Sequence, residues 1–593
     1  MKRLLFILCS LLSIALRAEG ATYYVTSSGS GSTCSIGSPC GSVVIGIGKL
    51  SAPDDALNIG AGTFLETSGA SFTADGTSGH PILITGAGAG STIWRRTNCG
   101  ASTSGCAIQF TNADYVTISG ITFKDFSGKT VLDVQANTGF TTHAINVIDC
   151  AVDTVGNRGV LDGSDDYSKF YYTHGQGTIA NLILTGNAFT GVYGAPFKLN
   201  SVHTALVDSN TSTANHASQA GSDNTYQFLI RGLVQLGTGT IDTTVTNNII
   251  HDLVVDLYGV GSVCGAARNA TCKWNGGMFY LDAGASNNIV EKNLAYDINT
   301  ADAAASYTGI IFESGCNGNL AKNNRFINLG GNNVIAMQNG SYKTNANNTN
   351  TFDGNATYGS MCSFSAMNTT SYSVKNNIFY TTNTSRWIVG ESNKASGGVY
   401  TNNLYYNTLG SGSNQTAWET DGSSNCSSPN LSYTAWVDAS HTNSAATSLN
   451  ADPLYTNPGS HDVTLQGGSP AVAAGVGGVD LGAFPDTNPP SGGTITVNYP
   501  NALEQIFTGS SINITWDIVN LSGNVKIEAS HTSGAAYGET IVSSIAASAG
   551  TYAWTVSNQA VTAGFKVKIT SLSDPSVFDE SDVASTIYGQ HVD

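Results

Sequence analysis

The pair Asn-Asn, followed by mostly apolar residues, keeps returning through the middle of the chain. It stands at Asn247-Asn248-Ile249-Ile250, Asn287-Asn288-Ile289-Val290, Asn323-Asn324-Arg325-Phe326, Asn376-Asn377-Ile378-Phe379 and Asn402-Asn403-Leu404-Tyr405, with single-Asn versions at Asn187 and Asn210. A short strand that repeats in this way cannot bury its apolar face alone and must stack on its neighbours, while loops of variable length make the intervals irregular. Asn suits the corners of such a stack, because it tolerates the left-handed backbone and its amide can bond the next Asn along. The 68 Gly among 593 residues fit the same picture of many short strands and many corners. A helical protein is excluded, and a solenoid of stacked coils is predicted.

Charged residues are 11% of the chain and apolar residues 41%, so the chain is not of the highly charged, weakly hydrophobic kind that stays disordered. The net charge of −17 excludes a sequence-independent nucleic-acid binder, which needs a basic face. The start, Met1-Lys2-Arg3 and then an apolar run from Leu4 to Leu16, reads as a secretory signal ending near Ala18. That run is shorter than the roughly 20 residues a membrane span requires. No later segment is long enough to cross a bilayer, so a secreted or cell-surface protein is predicted. Beyond Cys9 there are ten cysteines, an even number that favours disulfides in an exported chain. Cys34/Cys40, Cys99/Cys106 and Cys264/Cys272 are close enough to staple small loops. Cys150, Cys316, Cys362 and Cys426 cannot be paired from sequence, and no CxxC spacing suggests zinc.

Three further stretches carry a family resemblance. They are Thr22-Tyr23-Tyr24-Val25 with Ala56-Leu57-Asn58-Ile59-Gly60, then Val116-Thr117-Ile118-Ser119-Gly120-Ile121, and the segment from Asp452-Pro453-Leu454-Tyr455 to Asp480-Leu481-Gly482-Ala483-Phe484. With the Asn repeats, they make residues 19–485 resemble the right-handed parallel β-helix proteins of the pectate-lyase-like superfamily. The resemblance implies an all-β fold and leaves the activity open among lyases, hydrolases, epimerases and non-catalytic surface proteins. Residues 486–493, with Pro489-Pro490 beside Gly492-Gly493, read as a linker. Residues 494–593 alternate cleanly: Ile512, Ile514, Trp516 and Ile518 share one face, and Phe565, Val567 and Ile569 another. They are predicted to form a small immunoglobulin-like β-sandwich.

Aligning the strand-like segments of the solenoid by their apolar positions predicts two outward columns. One holds Val160, Lys198, Leu229, Tyr280, Ile311, Ala336, Ala366 and Val389. The other holds Asp162, Asn200, Arg231, Asp282, Glu313, Gln338, Asn368 and Glu391, every one polar. In this alignment Asp282 and Glu313 are stacked neighbours about 5 Å apart, with Arg231 directly beside Asp282. Such carboxylates suit the acid and nucleophile of a retaining glycosidase, with Tyr280 placed to stack on a sugar ring and Asn200, Gln338 and Glu391 to bond it. The resemblance also implies a lyase reading, with Lys198 as base and Arg231 neutralising a uronate carboxylate one coil away. No lyase signature surrounds either cation. Asp162, Asp165 and Asp166 are candidate Ca²⁺ ligands through their oxygens. His174, His203, His216 and His251 are scattered and read as surface or corner residues.

The expected function is polysaccharide binding and cleavage in a shallow groove, hydrolysis ranking ahead of β-elimination because the chain is poor in cations. The alternatives are a non-catalytic surface or adhesion protein and, further off, a phage-type spike. An enzyme should concentrate acids and one or two cations in a groove bordered by long loops, such as those around residues 163–178 and 257–277.

Overall fold

The computed structural model describes residues 20–589 except 101–102, 156–167, 193, 214–217, 221–225, 254–271, 299–305, 330–332, 339–346, 360–361, 368, 383–387, 393–396, 408–414, 418–429, 433–441, 444–446, 483–493, 520–523, 557–560 and 573–576. The chain divides into two compact units, Met1–Ala483 and Phe484–Asp593. The expected signal segment and the linker lie outside the described residues.

The first unit is a parallel β-helix. Each coil contributes a strand to each of three sheets, as Val116–Ser119 does to the first, Thr130–Ala136 to the second and Thr122–Lys124 to the third before the chain returns to the first at Ile145–Ile148. The returning strand pairs in parallel and in register with the one a coil earlier, Val116 opposite Ile145 and Ile118 opposite Val147. Because the register is kept from coil to coil, inward residues meet inward residues, and aromatic rings from two of the sheets interleave in the core. Phe123, Phe170, Phe189 and Phe197 touch in sequence, with ring centroids 5.2, 5.6 and 5.0 Å apart. The apolar interior is continuous, from Val25 to Tyr405.

The Asn pairs divide their labour. The first Asn sits in the left-handed region, with φ of 53° at Asn247, 57° at Asn287, 53° at Asn323, 59° at Asn376 and 50° at Asn402. The second is buried, and its side chain enters a ladder. Asn187, Asn210, Asn248, Asn293, Asn324, Asn355, Asn377 and Asn403 are joined in order, each Nδ2 donating to the Oδ1 of the next at 2.9–3.0 Å. A second ladder joins Asn288, Asn319 and Asn350. Each amide also satisfies backbone groups at the corner, as Asn324 does by donating to Val290 O at 2.8 Å. The corners are thereby closed by side chains without leaving buried polar groups unpaired.

The first coils and one flank are covered. A short helix, Val43–Ile47, lies against the first coils, with Glu66 accepting from Val43 N at 2.6 Å and from Ser42 Oγ at 2.8 Å. The closing segment packs Tyr455, Val463, Ala471 and Leu481 on the outer face of the third sheet, against Leu294, Ile327, Ala356, Ile378 and Leu404. Cys34–Cys40 and Cys99–Cys106 form disulfides. Cys362 is also disulfide-bonded, its partner and the Cys264/Cys272 loop falling outside the described residues. Cys150 and Cys316 are buried thiols. No helix of the described residues is long and apolar enough to cross a membrane.

The second unit is built from two sheets around one core. The smaller joins Thr494–Tyr499, Ser511–Val519 and Thr551–Thr555, all antiparallel. The larger is mixed, centred on Asn524–Ser530 and Thr562–Ser571, with Gln505–Phe507 running parallel to Ser585–Tyr588. Ile514, Trp516, Phe565, Val567 and Ile569 fill the core, as the alternation predicts.

Candidate functional site

The second sheet of the β-helix carries the candidate site. Its strands there are Thr130–Ala136, Lys169–Gly175, Ala195–Leu199, Tyr226–Leu236, Cys272–Leu281, Ser306–Glu313 and Asn333–Gln338. All pair in parallel, so outward positions stack at about 4.8 Å from coil to coil. One column runs Asp133, Tyr172, Lys198, Gln235, Tyr280, Ile311, Ala336. Two residues further on, the same register aligns Gln135, His174, Asn200, Gly237, Asp282, Glu313 and Gln338.

Asp282 and Glu313 therefore occupy stacked positions on neighbouring coils, just beyond the paired Leu281 and Phe312. Arg231 does not stand beside them. It is opposite Gly277, and the position before Asp282 in its column belongs to Gly237. The strand Tyr226–Leu236 is longer than expected and shifts register between Arg231 and Val234, so its outward residue over the groove is Gln235 instead of Leu229. Both halves of that strand are apolar enough to pass for the groove segment. A Cβ at Gly237 would lie 2.0 Å from Asn200 Oδ1, which explains the notch in the column. Lys198 and Arg231 are likewise four positions out of step, since Lys198 faces Gln235.

Other expected members move as well. Glu391 pairs with Ala366, one place away from the Gln338 column, because Phe364 and Ala366 turn inward and Ser365 outward. Asn368 lies outside the described residues, as do Asp162, Asp165 and Asp166 with the whole candidate Ca²⁺ loop. Among the described residues no group of three His, Cys, Asp or Glu is placed to hold a metal ion. The segments near 163–178 and 257–277, expected as loops, contain the strands Lys169–Gly175 and, from Cys272, Cys272–Leu281. The aromatic, β-forming run Phe170-Tyr171-Tyr172-Thr173 takes the place assigned to Val160–Gly163.

Tyr280 is 3% exposed and packs with Ile311 and Ala336, so its ring is covered and is not a sugar platform. Its hydroxyl donates to Glu313 Oε2. Asp282 Oδ1 accepts from Ala283 N at 2.6 Å. Both carboxylates are half-buried. Cys316 lies next to them, its Sγ donating to the Glu313 carbonyl at 2.9 Å. Burial pushes the Cys316 thiol up, and the charges of Asp282 and Glu313 add to the effect, so it stays protonated.

Earlier coils of the same sheet hold a second polar group. His174 Nε2 is 3.1 Å from Asp133 Oδ2, and the Asp133 side chain is 1% exposed. The His174 ring stacks on Tyr172 at 4.8 Å. Lys169 Nζ and Lys198 Nζ lie 4.7 and 5.8 Å from the centroid of that same ring. Sequence reasoning left Asp133, Tyr172 and Gln235 out and read His174 as a surface residue. The available signal was the polar residue at alternate positions of an apolar run, in Val131-Leu132-Asp133-Val134-Gln135 and in Tyr171-Tyr172-Thr173-His174.

No protein-family model matches the chain, and no curated protein does. Among solved structures the chain is similar to a GH136 lacto-N-biosidase from Eubacterium ramulus, at 11% identity and TM-score 0.41, over 68% of this chain and 67% of that one. It is similar to the PL6 family alginate lyase AlyGC at 11% identity and TM-score 0.38, over 82% of this chain and 62% of the lyase. A third is the A-module of the mannuronan C-5 epimerase AlgE6 from Azotobacter vinelandii, at 10% identity and TM-score 0.31, over 67% of this chain and 91% of the module. At these values the likeness concerns the β-helix fold and says nothing of the reaction.

Proposed function

We propose that this is an exported glycan-binding β-helix that hydrolyses a polysaccharide bound across its second sheet, using Asp282 and Glu313. The observation that carries this reading is the pair itself: two half-buried carboxylates at stacked positions of adjacent coils, one of them held by the Tyr280 hydroxyl. Adjacent coils set such groups about 5 Å apart, the separation used by retaining glycosidases. Glu313, oriented by the Tyr280 hydroxyl, is assigned the role of nucleophile and Asp282 that of acid. Glu313 then attacks the anomeric carbon while Asp282 gives its proton to the leaving oxygen. Water releases the sugar from Glu313, returning a proton to Asp282.

The register weighs against β-elimination by Lys198 and Arg231, because the two cations are not stacked. A purely adhesive role predicts no loss of function when the carboxylates are neutralised. The test is an incubation of the mature chain with a panel of neutral and uronate-containing polysaccharides, with and without Ca²⁺. New reducing ends without unsaturated products, abolished in Asp282→Asn, support hydrolysis. Unsaturated products, or binding without cleavage on every substrate, overturn it.

A further inference from the structure

The cleavage reading uses two coils of the second sheet and leaves the Asp133, Tyr172, His174 and Lys198 positions without a role. Those residues share its outward columns, so whatever lies along the sheet crosses both places. The protein carries 24 Lys and Arg against 41 Asp and Glu, yet two ammonium groups converge on one ring here. Lys169 is fully buried and serves to brace Tyr172, whereas Lys198 is half-buried and stands at an outward position. Cation–π contact fixes both ammonium groups against the ring. Asp133, buried beside His174, orients the imidazole from behind. The set therefore presents ammonium, imidazole and phenol groups to one side, with the only carboxylate of the set withdrawn.

We infer that the Asp133–His174–Tyr172–Lys198 cluster is a second subsite of the groove and takes an anionic sugar residue, bearing a carboxylate or a sulfate ester, at a distance from the bond that is cut. Lys198 stands two strand steps from the Asp282 coil and three from the Glu313 coil. That is about 10–14 Å, the span of about two to three linked hexoses. The charge is thus read away from the reacting sugar, which leaves the Asp282/Glu313 pair facing a neutral anomeric centre. The inference rests on the groove being a glycan site and not on which bond breaks.

The experiment is calorimetric titration of the full chain carrying Glu313→Gln, so that binding is read apart from turnover. The probes are galacturonate, mannuronate and glucuronate hexasaccharides, each as free acid and as methyl ester, together with a galactan hexasaccharide with and without its sulfate esters. At least one anionic probe should bind tenfold or more tighter than its uncharged counterpart, and added salt should erase the difference. Tighter binding of the free acids assigns a carboxylate, and of the sulfated probe alone a sulfate ester. Lys198→Met should bring each anionic probe and its uncharged counterpart to equal affinity. Equal affinity of every anionic probe and its uncharged counterpart for the unaltered cluster overturns the subsite, as does failure of every anionic probe to bind. The first comparison needs no change at Lys198, so it stands even where that variant folds poorly. Absence of cleavage in the unsubstituted chain, with the charge preference intact, would remove the hydrolase reading and keep this one.

Discussion

Individual residues are where the chemistry is most exposed to test. The Tyr280 hydroxyl donates to Glu313, and Tyr280→Phe removes that bond while keeping the ring packed with Ile311 and Ala336. The expected outcome is a fall in kcat of about 10- to 100-fold with KM nearly unchanged, read from steady-state kinetics. The buried thiols give a prediction about pH. Burial pushes the Cys150 thiol up to about 12. A group whose folded value is raised contributes stability that is present below its unfolded value and lost as pH rises towards the folded one. Stability should therefore decline between about pH 9 and 12, at up to about 1.4 kcal/mol per pH unit from this group, and Cys150→Ala should flatten the decline in denaturant titrations at stepped pH. At neutral pH neither Cys150 nor Cys316 should react with a thiol reagent until the chain is unfolded.

Among the elements, the corner ladders are the feature that the sequence displayed most openly. Asn-Asn marked the corners and the stacking of amides, but the different duties of its two members follow only from backbone geometry. Asn323 holds φ at 53°, so Asn323→Gly should be nearly neutral to unfolding. Asn324 accepts from Asn293 and donates to Asn355 and Val290 in the interior. Asn324→Ala should cost about 2–5 kcal/mol in denaturant unfolding, because it strands buried donors and acceptors on three coils. Strand positions were legible wherever a polar residue interrupted an apolar run between Asn corners, which is why Tyr280, Ile311 and Ala336 fell into one true column. Legibility failed where one strand offered two apolar windows. In Tyr226–Leu236 the window ending at Arg231 and the window around Gln235 look alike in sequence, and only pairing with Cys272–Leu281 selects the second. The Cys362–Met367 strand failed by one residue, since alternating Ser and Ala side chains do not say which face is inward.

For the molecule as a whole, the repeat and the closing segment already implied a β-helix, and the clean alternation after the linker implied a separate β unit. Each unit has an apolar core of its own. A chain ending at residue 483 should therefore keep the unfolding transition of the β-helix and the groove activity, with differential scanning calorimetry as the check. Alignment of the coils already stacked Asp282 on Glu313, whereas the second polar centre of that sheet was missed because Asp133, Tyr172, His174 and Lys198 come from three strands and meet only through register. The central claim is that the first of these centres is a retaining hydrolase. It is tested most directly by proton NMR of the first-formed product from a cleaved glycan, in the unaltered chain and in Asp282→Asn and Glu313→Gln. The account predicts a new reducing end of retained anomeric configuration, lost in both variants. An inverted product, an unsaturated sugar, or full activity in either variant would contradict it.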